Sequence, residues 1–212
     1  MKRLFTLLLL IGCLQVTYSQ NIYKKLSPNQ ADYKNIIDEL GNPLAGKPIQ
    51  IIHFMGSQTG SYIWYLNHKK ATKPSYITDK PFDLVSGIYI EDHGGLLDIF
   101  KFQDFASELA QPDYLLNYCI VTQTDKKSQP EFYLTYFESS DGLDAKPLKV
   151  IVYSTKPNTT QYQKSKVTAY IPYQQEDKYH LVEDDNFKKL PEKVRKHAFD
   201  ILKEIKQKKI LD

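Results

Sequence analysis

Ile49-Gln50-Ile51-Ile52-His53-Phe54-Met55-Gly56-Ser57-Gln58-Thr59-Gly60-Ser61-Tyr62-Ile63-Trp64-Tyr65-Leu66 reads as two strands joined by a short turn. β-Branched and aromatic residues fill both arms, and a glycine stands at each end of the intervening loop. The pattern repeats downstream. Residues 84–90 and 96–102 flank a turn containing His93-Gly94-Gly95, residues 114–122 and 131–137 flank a polar loop over 124–130, and residues 148–155 and 166–173 flank Pro157-Asn158. Consecutive hairpins with short links imply an antiparallel meander, because parallel neighbours need crossovers of about a dozen residues. A short helical segment is expected over 104–110, closed off by Pro112. In the last strand Val167, Ala169 and Ile171 alternate with Lys166, Thr168 and Tyr170, which predicts one face toward a core and one toward solvent.

Helices bracket this run. Ser27-Pro28-Asn29-Gln30 offers an N-cap serine, a proline at the first helical position and glutamine at the capping-box position. Tyr33, Ile36, Ile37 and Leu40 follow on one face, and Gly41 supplies a stop. At the other end a helix is expected from Pro191 to about residue 209. Leu190, Val194, Ala198, Ile201 and Ile205 form its apolar stripe, Leu202 lies at the margin and Phe199 on the opposite face. Lys206, Lys208 and Lys209 fall in its last turn, where the helix dipole favours cations. The expected fold class is therefore α+β, an antiparallel meander of about eight strands flanked by an N-terminal and a C-terminal amphipathic helix. A barrel or half-barrel carrying the C-terminal helix is the alternative, since a long meander must hide its edges.

The first residues read differently. Lys2 and Arg3 precede an apolar run over residues 4–14, which matches an export signal in length and falls short of the roughly 20 residues of a membrane span. Cleavage after Ser19, with Thr17 and Ser19 at the −3 and −1 positions, makes residues 1–19 a signal peptide and residues 20–212 a single α+β domain. The alternative is a lipoprotein signal cleaved before Cys13, because Leu10-Ile11-Gly12-Cys13 resembles a lipobox; the less polar stretch Leu14-Gln15-Val16 fits an exposed tether poorly. Either route places the body outside the cytoplasm, periplasmic or secreted, and touching a membrane only through a lipid.

Composition narrows the function classes. Of 212 residues, 42% are hydrophobic and 25% charged, which excludes wholesale disorder and a polytopic membrane protein. The formal net charge is +3, and Lys2 and Arg3 supply two of those charges. Arg195 is the one arginine beyond the leader, so the forked guanidinium that grips phosphate and reads guanine is nearly absent, and nucleic acid is not an expected partner. Cys119 is the one cysteine beyond Cys13, so it has no intramolecular disulfide partner there and reads as a small buried hydrophobe.

No complete catalytic or metal-ligating signature is present. His53, His68, His93, His180 and His197 show neither i, i+4 pairing nor an H-E-x-x-H motif, so no metal site or cofactor is expected. His53 alternates with Ile49, Ile51 and Met55 and reads as a packed imidazole. Glu91-Asp92-His93-Gly94-Gly95 reads as turn chemistry. Gly56-Ser57-Gln58-Thr59-Gly60 has its serine one position early for a nucleophile elbow and lacks the lysine of a P-loop. Asp184/Asp185, Asp141/Asp144 and Glu91/Asp92 are carboxylate pairs in sequence only. Asn158-Thr159-Thr160 matches a glycosylation acceptor, meaningful only in a glycosylating pathway.

Tyrosine is the compositional oddity, at 16 residues. Tyr62, Trp64 and Tyr65 crowd one strand, and flat rings with polar tips suit sugars, peptides and protein surfaces. The expected function is thus a non-catalytic exported binding or envelope-associated protein, taking a protein, a glycan or an apolar small molecule through Tyr62, Trp64 and Tyr65. An extracytoplasmic hydrolase assembled from distant loops, and a structural component of an envelope assembly, are the alternatives. A histidine meeting two acidic residues in a cleft would favour the hydrolase, and an exposed patch around Trp64 would favour binding.

Overall fold

The computed structural model describes residues 22–56, 58–125, 128–172, 178–208 and 210. The expected leader, including Cys13 and the Ser19 cleavage point, lies outside them. The fold is α+β with open antiparallel sheets. Its strands divide into two sheets rather than continuing as one, and neither closes into a barrel.

Sheet 1 is a meander in sequence order: β1 (Ile22–Leu26), β2 (Lys47–Gly56), β3 (Gly60–Lys70), β4 (Phe82–Asp92) and β5 (Gly95–Asp104). Helix α1 (Ala31–Leu40) spans the link from β1 to β2. Sheet 2 contains β6 (Ala110–Tyr114), β7 (Ile120–Thr122), β8 (Glu131–Ser140), β9 (Lys146–Thr155), β10 (Tyr162–Ile171) and β11 (His180–Glu183). The chain ends in a short helix, α2 (Asp185–Lys188), and a long one, α3 (Glu192–Gln207).

The hairpin 49–66 explains the stacking. Alternate residues on a strand face opposite ways. Tyr62, Trp64 and Leu66 therefore enter one core with Ile52 and Phe54, while Ile63 and Tyr65 enter a second core with Ile51. The first core lies between the sheets and takes Phe132, Leu134, Tyr136, Ile151 and Tyr153 from β8 and β9. The second lies under α1, whose Tyr33, Ile36, Ile37 and Leu40 cover the outer face of sheet 1. A third lies between the outer face of sheet 2 (Tyr133, Leu148, Val150, Val152, Val167 and Ala169) and Val194, Ala198, Ile201, Leu202 and Ile205 of α3. The order is helix, sheet, sheet, helix. Strands buried on both faces carry unbroken apolar runs.

Polar bonds lock the layers. Tyr33 Oη donates to Pro48 O at 2.7 Å and Tyr65 Oη to Gly41 O at 3.0 Å, fastening α1 to sheet 1. Lys25 Nζ donates to Leu116 O and Asn117 O, tying the β1 edge to sheet 2. Lys149 Nζ stands 2.7 Å from Glu138 and 3.4 Å from Asp104, bridging the sheets.

Several local expectations change. Helix α1 starts at Ala31 and not at Pro28, because residues 27–30 form a turn closed by Gln30 N–H on Ser27 O at 3.0 Å; the capping-box bond is nevertheless made, with Gln30 Oε1 accepting from Ser27 N–H at 2.5 Å. The expected helix over 104–110 does not form. Asp83 takes the Ala106 N–H, Glu108 O receives the Tyr76 N–H, and Ser107 N–H closes a turn onto Ala110 O, so these backbone groups have partners in other elements or in a turn. The strand expected over 114–122 is broken by a 3-10 turn at Leu116–Tyr118, on either side of which β6 and β7 both pair with β8. The polar face of β10 is not fully solvated: Thr168 is buried, and Lys164 lies over the Phe102 ring at 5.4 Å. In α3, Phe199 packs edge-on against Phe187 of α2. Lys206 covers the Tyr179 ring, Lys208 pairs with Glu204, and Lys209 lies outside the described residues.

Candidate functional site: a polar cleft at one end of the sandwich

The aromatic strand is packed inside the fold and is not laid open as a surface. Tyr62, Trp64 and Tyr65 are 1%, 0% and 0% exposed, so the expected contact surface is replaced by core packing. Trp64 stands edge-on to Phe132 with ring centroids 5.7 Å apart, and its Nε1 donates to Ser86 Oγ at 2.7 Å. A partner would have to separate the two sheets to touch it.

The histidines do not assemble a hydrolytic centre either. His68 is stacked between Phe82 and Tyr114, with Asp113 at 3.5 Å. His93 is exposed beside Asp92, and His180 stacks on Tyr170. His53 Nε2 lies 3.0 Å from Ser61 Oγ, which donates to Glu91 at 2.9 Å. That order places the serine between imidazole and carboxylate. A nucleophilic triad needs the carboxylate to orient the imidazole, so this chain of bonds is a cross-strand contact. Asp184, one of the paired carboxylates, caps α2 by accepting from Phe187 N–H at 2.7 Å. Among the described residues no group of three or more His, Cys, Asp or Glu is placed to hold a metal ion.

The concave surface lies elsewhere. A cleft of about 480 Å³ opens at one end of sheet 2, walled by the 124–131 loop, the β9–β10 turn, and the junction of α2 and α3 at Lys189, Pro191 and Val194. Its inner wall takes the polar residues Glu131, Ser154 and Gln163 from β8, β9 and β10, and Thr122 of β7 continues the row behind Glu131. Thr122 pairs with Glu131 between β7 and β8, and Ser154 pairs with Gln163 between β9 and β10. Continuing the β8–β9 register one step past Phe132↔Tyr153 sets Glu131 across from Ser154. Side chains along this face are mostly apolar, with Thr135 and Ser165 buried among them, and the polar row marks where the core reaches the cleft.

Its electrostatics are unusual for a strand face. Glu131 is 6% exposed, and one carboxylate oxygen accepts from Thr122 Oγ1 at 2.8 Å and from Thr124 N–H at 3.2 Å. Burial pushes its pKa above the ordinary carboxylate value, and those hydrogen bonds oppose the shift. Ser154 is 5% exposed, and its Oγ has no hydrogen-bond partner among the described residues. Ser165 Oγ on β10, and Arg195 Nε and His197 Nε2 on α3, are likewise buried without partners among the described residues, as are seven further polar atoms elsewhere in the fold. Orphaned buried polar atoms are uncommon in folded chains and point to a bound water or ligand.

The rims are held in place. Asn158, at φ 58°, allows the β9–β10 turn to close through Lys156 N–H on Gln161 O and Thr159 N–H on Lys156 O. In the opposite rim Ser128 N–H reaches Asp125 O, and Gln123 Nε2 reaches Ser128 O. Tyr162 Oη donates to Pro130 O at 2.9 Å, and Tyr62 Oη makes a short hydrogen bond to Gln129 Oε1, so both sheets hold Gln129 and Pro130.

No known family, characterised protein or solved structure matches the chain. Sequence reasoning missed Glu131, Ser154 and Gln163, although one signal was present. Leu148, Val150 and Val152 form an alternating apolar series that ends on Ser154, and Ser165 begins the series continued by Val167 and Ala169.

Proposed function

We propose that the chain works outside the cytoplasm, in the cell envelope or secreted, as a binding protein whose ligand seats in the cleft between the 124–131 loop and the β9–β10 turn. One observation carries the reading: Ser154 and the buried Glu131 both line the cleft, and Ser154 Oγ is buried with no hydrogen-bond partner among the described residues. An unsatisfied buried hydroxyl costs about 1–3 kcal/mol, and proteins retain such groups where function requires them. The lining is rich in hydroxyl and amide side chains and poor in groups that activate a nucleophile, which favours binding over hydrolysis. Export rests on Lys2, Arg3 and the apolar run that follows them.

Ser154→Ala tests the site. Removing an orphaned hydroxyl without adding volume should leave the ligand-free protein about as stable as wild type, or up to about 2 kcal/mol more stable. The same substitution should abolish the thermal stabilisation that a bound ligand confers. A loss of stability in the variant would show instead that Ser154 Oγ has a structural partner. Mass determination of the native N-terminus tests export, with Gln20 or an acylated Cys13 expected and an intact Met1 contradicting it.

A further inference from the structure

Sheet 1 ends on β5, and among the described residues no strand pairs with its outer edge. The other sheet edges are short or engaged. β1 has five residues and sends Lys25 across to sheet 2, the β6–β7 edge is split by the 3-10 turn, and β11 has four residues. β5 offers ten.

The hairpin fixes which backbone groups of β5 face outward. His93 and Gly94 form its two-residue turn, so Asp92 and Gly95 exchange hydrogen bonds, and bonded pairs then alternate with unbonded ones along β4. Leu96 and Asp98, opposite Glu91 and Tyr89, therefore turn their N–H and C=O away from β4. A bulge at Ile99 absorbs one residue, after which Lys101 and Gln103, opposite Gly87 and Val85, do the same. Four residues thus present backbone donors and acceptors along one line.

Sheet 2 projects beyond this edge. Phe100 and Phe102 of β5 reach Tyr153, Tyr162 and Lys164 of β9 and β10, whereas no residue of β11 joins a core cluster. Val182 of β11 lies across from Thr168, on the face of sheet 2 turned toward sheet 1, yet it is 50% exposed. Leu97 of β5, on the facing side of sheet 1, is 54% exposed. The result is a ledge, with β5 as its wall and β10 and β11 as its floor.

The floor is basic. Lys164 and Lys166 alternate with Val167 and Ala169, which pack under α3, so the lysines lie on the ledge side. Among the described residues neither forms an ion pair, and Lys164 lies over the Phe102 ring. The carboxylates nearest Lys164 are engaged elsewhere, Asp104 with Lys149 and Asp184 with the Phe187 N–H. Burial, with Lys166 alongside, holds the Lys164 pKa below the usual lysine value. On β5 itself the Lys101 charge is paired with Asp98.

We propose that this edge and ledge bind an extended acidic peptide segment of another protein, added to sheet 1 as a sixth strand. Its backbone pairs with Leu96, Asp98, Lys101 and Gln103, and alternate side chains turn down onto the floor, acidic ones to Lys164 and Lys166 and apolar ones to Leu97 and Val182. A peptide backbone supplies donors and acceptors at the spacing of a strand edge, which other polyanions do not. The surface is separate from the cleft and does not depend on it.

Fluorescence polarisation with residues 20–212 tests the proposal, using a labelled pool of octapeptides with glutamate at alternate positions and valine, isoleucine or threonine between. The same pool with lysine for glutamate should bind about tenfold more weakly or worse, and Lys164→Glu/Lys166→Glu should weaken the glutamate pool by a similar factor. Methylating the backbone nitrogens of one alternate set should abolish binding, while methylating the other set leaves it within about twofold, because a strand directs alternate N–H groups to opposite sides. Gln103→Pro removes an N–H that faces away from β4, so the β4–β5 ladder survives and the added strand loses its partner. Circular-dichroism melting confirms that the variants fold, and the methylated peptides decide the pairing without any variant. Equal binding of the glutamate and lysine pools, or no binding of the glutamate pool, would overturn the proposal. Equal binding of both methylated sets would overturn strand addition and leave a polyanion contact. Self-association of the protein that disappears in Gln103→Pro would assign the edge to a second copy instead.

Discussion

Replacing Trp64 by alanine should nearly unfold the protein. The indole is 0% exposed in the core between the sheets, packed on Phe132 and hydrogen-bonded to Ser86. Truncating a buried tryptophan costs about 3–5 kcal/mol in lost transfer energy and cavity formation. Ser86 is itself buried, and losing its partner adds roughly 1–3 kcal/mol. The combined loss of about 5 kcal/mol is comparable to the whole stability of many domains, which is about 5–15 kcal/mol. Trp64→Phe keeps a ring against Phe132 but removes the N–H and some volume, and should cost roughly 2 kcal/mol. Trp64 is the only tryptophan, so urea unfolding has to be followed by far-ultraviolet circular dichroism. At a slope of about 2 kcal/mol/M, Trp64→Phe should lower the midpoint by about 1 M, and Trp64→Ala should have little or no folded baseline. In a double-mutant cycle Ser86→Ala should be much less harmful on the Trp64→Phe background than alone. A Trp64→Ala midpoint within experimental error of wild type would refute the two-sheet core.

Three further outcomes follow from named contacts. Gly46 has φ +88°, and a Cβ there would lie 2.5 Å from His68 O, whereas Gly94 has φ +80° with nothing within 4 Å; Gly46→Ala should cost roughly 2 kcal/mol or more and Gly94→Ala about 1 kcal/mol, and equal chemical-denaturation midpoints would remove the close approach. Cys119 is fully buried with Sγ 3.4 Å from Thr135 O, and burial pushes its thiol up to about 12, so a disulfide reagent should label it only as the protein unfolds; labelling of the native protein within seconds would contradict that placement. Burial raises the Glu131 pKa, so the folded state holds this proton more tightly than the unfolded chain, and ionising the group weakens folding as pH rises from about 4 through the raised value. Glu131→Gln carries no such proton, so its stability should gain on wild type across that window, and a difference that does not vary with pH would refute the buried carboxylate.

Much of the fold was legible because the chain marks its own turns. Asp92-His93-Gly94-Gly95 predicted a tight hairpin, and His93 and Gly94 both have positive φ, as a two-residue turn of that hand requires. The stripes on α1 and α3 were readable because each helix has one covered face. The layering was not legible. Tyr62-Ile63-Trp64-Tyr65-Leu66 is equally consistent with an exposed aromatic ladder and with a strand buried on both sides, and only the arrival of β8 and α1 decides between them. β1 was missed because Lys24 and Lys25 make it look like a polar leader segment. As an edge strand it has Lys24 in an exposed pair with Asp32 and Lys25 reaching the carbonyls of residues 116 and 117. The candidate site depends on register between strands far apart in sequence. Glu131 and Ser154 become neighbours only through the β8–β9 ladder, and Tyr62 meets Gln129 only when the sheets stack.

Amide chemical-shift mapping on 15N-labelled residues 20–212 tests the placement of the site most directly, using a compound from a small-molecule screen that raises the melting temperature of the wild type. Perturbations are expected in residues 124–131 and 154–163 and at the start of α3. Perturbations centred instead on the opposite end of the sandwich, where Tyr76, Phe105, Leu109 and Leu143 stand exposed on three loops, would contradict it.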